Sequence, residues 1–157
     1  MKRTVLYATI LILGLFAPVR RLDVAKLRPV EVIHIYKDGD LVVLLTDTED
    51  KGIGENAAQA LADMRRTSPA VIYLDTAEYM LVTKETEEAA RELMAELKPS
   101  VRMCMTTGVE DLKQAVLYLK AHGGLPKLKA WVKGAELPVL STFGDSLIFL
   151  KKVENNA

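Results

Sequence analysis

A chain of 157 residues, half of them hydrophobic, is long enough for one core, too short for two comfortable domains and too apolar to be disordered. Lysine plus arginine and aspartate plus glutamate both total 21. Lys2, Arg3, Arg20 and Arg21 all lie at the start, so from Leu22 onward 17 basic side chains face 21 acidic ones, a net of −4. A net-acidic body offers no electrostatic footprint for DNA or RNA, and one cysteine with two histidines makes neither an internal disulfide nor a cysteine-based metal site.

Residues 1–21 read as an export element. Lys2-Arg3 precede an apolar run from Val5 to Val19, which Arg20-Arg21 close; this is the order of a signal's basic and hydrophobic regions. Fifteen apolar residues are short for a spanning helix, which needs about 20. Ala17 is the sole small-residue cleavage candidate, and Pro18 directly after it hinders cutting. The favoured reading is an uncleaved signal-anchor, with a cleaved signal peptide as the second and a buried core helix as the third. The absence of a cysteine near position 20 excludes a lipid-modified terminus. Residues 22–157 then form one extracytoplasmic α/β domain.

Val30 to Tyr36 alternates at period two and predicts a half-buried strand. His34 is expected on the face of Val30 and Val32, partly exposed or hydrogen-bonded, and Asp38-Gly39 predicts a two-residue hairpin turn with both positions at positive φ. Leu41 to Thr46 completes the hairpin. A loop over Asp47–Gly54 leads to a helix whose stripe is Ala57, Ala60, Leu61 and Met64. Strand, Gly52-x-Gly54 and helix resemble a phosphate-binding turn superficially. The third glycine and the Gly-Lys-Ser/Thr are missing, however, and Asp47, Glu49 and Asp50 would repel an anion, so the expectation is a plain turn.

Val71–Leu74 and Tyr79–Thr83 are two short strands. Thr83 opens a helix with Glu85, Glu87 and Glu88 at its dipole-positive start and Ala90, Leu93, Met94 and Leu97 as its buried stripe. Strand Val101–Thr106 carries Cys104, expected as a small buried hydrophobe. Thr107-Gly108-Val109-Glu110 reads as a capping box for a helix bearing Leu112, Ala115, Val116 and Leu119, stopped at Gly123-Gly124. The Lys-rich stretch 125–140 holds Trp131, which packs on the core or else marks a partner or membrane surface. A last strand spans Ser146–Lys152. Strands alternating with helices predict a mixed sheet, opened by a hairpin, with about three helices packed on it.

Several of these pieces occur together in one family. Lys51-Gly52-Ile53-Gly54-Glu55-Asn56-Ala57 with Ala60 and Leu61, Ile72-Tyr73-Leu74, Tyr79-Met80-Leu81-Val82, Glu88-Ala89-Ala90, and Leu137-Pro138-Val139-Leu140 with Leu147-Ile148-Phe149 resemble the N-terminal domain of the Ger(x)C proteins, the C subunits of nutrient germinant receptors in bacterial spores. The resemblance covers roughly residues 30–152. It implies an exported, membrane-associated module in a spore-forming bacterium. Family members are lipoproteins with further domains, whereas this chain lacks the lipobox cysteine and ends after the first domain, so its tether must differ.

The function expected from these readings is non-catalytic. The domain is a module at the cell membrane, facing outside the cytoplasm, held by its N-terminal segment and acting in assembly or recognition through other membrane-associated proteins. Such a module should show an exposed apolar patch or an open sheet edge. The alternative is a small extracytoplasmic ligand-binding protein or hydrolase using His34 or His122, which requires one histidine beside an acid and a nucleophile in a cleft. No catalytic, cofactor-binding or metal-ligating residue is assigned, no cofactor is implied, and the acids are spread over helix faces rather than paired.

Overall fold

The computed structural model describes residues 26–108, 111–143 and 146–151. The expected N-terminal apolar helix lies outside them. Among the described residues no helix is long and apolar enough to cross a membrane.

The elements in chain order are β1 (Leu27–Pro29), β2 (Val32–Asp38), β3 (Leu41–Thr46), β4 (Lys51–Gly54), α1 (Ala57–Thr67), β5 (Val71–Tyr73), β6 (Tyr79–Val82), α2 (Glu87–Glu92), β7 (Arg102–Thr106), α3 (Leu112–Ala121), α4 (Leu128–Val132), β8 (Val139–Phe143) and β9 (Ser146–Lys151). Seven strands form one sheet in the order β4-β3-β2-β6-β7-β8-β9, and β1 pairs with β5 in a small second sheet. Strands β2, β6, β7 and β8 run parallel, flanked by antiparallel pairs at both ends. The expected mixed α/β sheet with helices packed on it is therefore the fold, with four helices among the described residues rather than about three.

The helices divide unequally. One face (Ile33, Ile35, Val42, Leu44, Met80, Val82, Met103) is covered by α1 through Ala57, Ala60, Leu61 and Met64, by Ala90 of α2 and by Leu128 and Trp131 of α4. The other face (Val32, Tyr79, Leu81, Cys104, Leu140, Leu147) has α3, through Leu112, Ala115, Val116 and Leu119. Both faces of β2 are thus covered, and Val32, Ile33, His34 and Ile35 are all buried. The half-buried strand read from its alternation is corrected on that ground: a central parallel strand loses both faces to solvent. Val30 precedes the strand and joins the core of Ile33 and Ile35, not that of Val32.

Local chemistry explains further departures from expectation. The hairpin turn is Gly39-Asp40, with Asp38 already paired to Leu41. Only Gly39 takes positive φ, at 61°, which is the pattern of a turn with glycine at its first central position. Lys51–Gly54, expected as loop, is edge strand β4, antiparallel to β3. Its glycines are demanded by α1. A Cβ on Gly52 would overlap the Ala60 carbonyl oxygen and lie 2.7 Å from Met64 Cβ, and one on Gly54 would lie 2.5 Å from the Ala60 nitrogen. The free edge of β4 is partly covered as well, since Ile53 N–H donates to Asp63 Oδ2 at 3.1 Å. That bond, with Arg66 beside it, holds the Asp63 carboxyl below the usual carboxylate range.

Helix α1 is capped by Asn56, whose Oδ1 accepts from Gln59 N–H at 2.9 Å. The expected helix from Thr83 begins instead as a 3-10 turn over Lys84–Thr86, in which Thr83 and Thr86 satisfy each other, and continues as α2. For α3 the cap is Asp111, which accepts from Lys113 and Gln114 N–H at 2.9 and 3.1 Å. It stands where Thr107 and Glu110 were expected as a box, and Thr106 Oγ1 accepts the Gly108 N–H.

Candidate functional site

His34 sits in the middle of β2 with Leu45 on one flank and Leu81 on the other. Its residue is 5% exposed, and neither ring nitrogen has a hydrogen-bond partner. The nearest ring is Tyr36, at 5.0 Å between centroids. Burial lowers its pKa from 6.5 to about 4, so the imidazole is neutral near pH 7. The sequence expectation of a partly exposed or hydrogen-bonded side chain is wrong on both counts. Without an acid to orient it or a nucleophile to serve, this histidine has none of the geometry of a general base.

His122 is used differently. It follows α3, its Nδ1 lies 2.9 Å from the Tyr118 carbonyl oxygen, and its ring stacks on Tyr118 at 4.0 Å. Phe149 of β9 completes the cluster, 5.4 Å from Tyr118 and 6.2 Å from His122. The contact fastens the end of α3 to the edge of the sheet. Neither histidine is hydrogen-bonded to an acid or a nucleophile among the described residues.

Cys104 is buried as expected. Its Sγ–H reaches the Pro138 carbonyl at 3.3 Å, and burial pushes the thiol up to about 12. A thiol so far from ionisation is inert as a nucleophile. Trp131 is buried too, with the Arg91 guanidinium 4.5 Å above its ring, which decides between the two readings of that residue in favour of the core.

The acidic loop after β3 holds the segment from Arg28 to Val32. Asp47 Oδ1 accepts from the N–H groups of Glu31 and Val32 at 2.9 and 3.0 Å. The Asp50 side chain is 4% exposed and receives Arg28 Nη1 on both oxygens at 3.1 Å and the Thr48 hydroxyl at 2.7 Å. Desolvation opposes its ionisation, but the bonds from Thr48, Ser68 and Arg28 outweigh that and keep its pKa below the ordinary value. Glu49 adopts φ 67° and pairs with Lys113 at 2.6 Å, which lowers its pKa. A cleft of about 380 Å³ lies between this loop and the start of α3. No group of three or more His, Cys, Asp or Glu side chains fit to hold a metal occurs among the described residues.

What is left is surface. Strand β9 is the second edge of the sheet. Leu150 projects from it at 60% exposure, beside the irregularity where β9 slips against Val139 and Leu140. Leu117 of α3 is 70% exposed, next to Tyr118, which packs on Phe149 of β9. Leu117 and Leu150 are the two most exposed large apolar residues described. Sequence periodicity places Leu117 off the buried stripe of α3. It does not reveal that β9 would be an edge, because strand order is a property of the whole sheet.

The chain is a mixed α/β domain of seven sheet-ordered strands, and comparison with protein-family models, with characterised proteins and with solved structures finds no match in any of the three. In the fold, two of the segments quoted above do packing work: Gly52 and Gly54 seat α1, and Tyr79–Val82 is a wholly buried strand.

Proposed function

We propose that this chain is a non-catalytic module held at the outer face of a bacterial membrane by residues 1–21, where it acts in protein assembly or recognition in a setting related to spore germination. The observation that supports the recognition part is the β9 edge, unpaired among the described residues, with Leu150 exposed on it. An unpaired strand edge is a template to which another chain can add. Membrane placement is supported by the cation-flanked apolar run Val5–Val19, and the germination setting by the Ger(x)C resemblance.

The test is site-specific photocrosslinking of the full chain in membranes of a sporulating host. A probe at position 150 should give a discrete membrane-protein adduct, and a probe at Lys37, exposed beside the hairpin turn, should not. Adducts that are absent, or identical from both positions, would contradict recognition through this edge.

A further inference from the structure

We infer that the cleft lined by Lys98, Pro99, Ser100, Lys127 and Lys129 is a docking surface for anionic phospholipid headgroups. The inference rests on the membrane-surface reading and says which end of the domain meets the bilayer. The cleft measures about 300 Å³. Lys98 and Ser100 lead into β7, and Lys127 is bridged to Arg102 at the start of that strand. Lys133 and Val132 extend the cluster along α4, where positions 129, 132 and 133 share one face. Val132 is 46% exposed, an apolar side chain set among cations in the manner of an interfacial helix.

Charge bookkeeping makes this cluster stand out in a body of net −4. None of Lys98, Lys127, Lys129 and Lys133 makes an ion pair among the described residues. Three of the acids at this end of the sheet face other cations. Glu31 binds Lys120 at 2.6 Å, Glu78 lies 3.9 Å from Arg102, and Asp50 holds Arg28. The cluster is therefore an unneutralised positive site, complementary to an anionic surface.

Topology places it at the right end. Strands β2, β6 and β7 are parallel, with Val32 paired to Tyr79 and Tyr79 to Arg102, so their N-terminal ends lie together. The chain coming from residues 1–25 reaches the sheet at this end, through β1 and Val30-Glu31. Anchor and lysine cleft thus act on the same end of the domain and orient it.

The experiment is co-sedimentation of the full chain with phosphatidylcholine vesicles and with vesicles of equal parts phosphatidylcholine and phosphatidylglycerol. Three lysines near an anionic surface are worth about a hundredfold in partitioning at low salt. Phosphatidylglycerol should raise wild-type binding by about that factor, and K98Q/K127Q/K129Q should remove most of the gain. The control K37Q/K51Q/K84Q, with the same loss of charge elsewhere on the surface, should keep it. Equal losses in both triple variants, or none in either, overturn the proposal. Saturable binding of inorganic phosphate with no gain from phosphatidylglycerol also overturns it, in favour of a small-anion cleft. Binding to pure phosphatidylcholine reads the apolar segment alone, so failure there counts against the anchor, and failure of the phosphatidylglycerol increment counts against the cleft.

Discussion

Protonating His34 should destabilise this domain, and the size of the effect follows from its surroundings. The ring is neutral and unpaired in the folded state, with a pKa near 4 against 6.5 when exposed. Between those values the unfolded chain binds a proton that the folded one refuses, so stability rises with pH across this window. The contribution is fully present above about pH 6.5 and is lost as pH falls toward 4. A tenfold change in proton affinity is worth about 1.4 kcal/mol, so the loss attributable to His34 is about 3 kcal/mol. That is a large part of the 5–15 kcal/mol typical of a small domain. His34→Leu keeps the volume and removes both the titration and two unsatisfied nitrogens, which should also raise stability near pH 7 by about 1 kcal/mol. Urea titrations at stepped pH, followed by fluorescence of the lone, buried Trp131, give the two stability curves. Carboxylates titrate equally in both proteins and cancel in the difference. The wild type should fall away from the variant by about 3 kcal/mol between pH 7 and pH 4. Parallel curves over that range would refute the burial argument.

Three further outcomes follow from packing and hydrogen bonding. Gly52→Ala drives a methyl into the backbone of α1 and should cost about 3 kcal/mol, whereas Gly39→Ala meets open space at φ 61° and should cost about 1 kcal/mol; chemical denaturation separates the two, and equal costs would contradict the seating of α1 on β4. Arg28→Met leaves the Asp50 carboxylate buried without its cation and should cost about 2 kcal/mol near neutral pH, shrinking as the carboxyl protonates in acid; a pH-independent cost would point to packing alone. Cys104 should resist a thiol-reactive dye in buffer at pH 8 and react stoichiometrically in urea, because burial suppresses its thiolate; rapid labelling of the folded protein would contradict its placement.

How much was legible in the sequence depended on whether a feature is local. Strand β3 was readable to the residue, and the stripes of α1 and α3 were readable from their spacing, because each repeats a fixed period against one surface. The fate of His34 was not readable: alternation assigns a side chain to a face, and only the order β3-β2-β6 reveals that the face is covered. Strand β4 was hidden because glycine disfavours strands, and its two glycines are tolerated for the close approach of α1. Strand β8 follows Pro138 in a stretch with no clean period and exists because β7 and β9 pair with it on either side. The cap of α3 failed for a simpler reason. Thr107 and Asp111 both fit the role, and the helix begins where Asp111 supplies two bonds at once. Of the functional reading, the apolar run and its flanking cations were visible in sequence, but the exposed β9 edge and the lysine cleft come together through tertiary structure.

The placement of the domain outside the cytoplasm underlies both functional proposals, and one labelling measurement addresses it. Glu55→Cys adds an exposed thiol before α1, while the native Cys104 stays sealed. Treated with a membrane-impermeant maleimide, intact cells whose walls have been removed should label Glu55→Cys fully and the wild type hardly at all. Labelling that appears only after the membrane is broken would place the domain inside the cell and contradict the account.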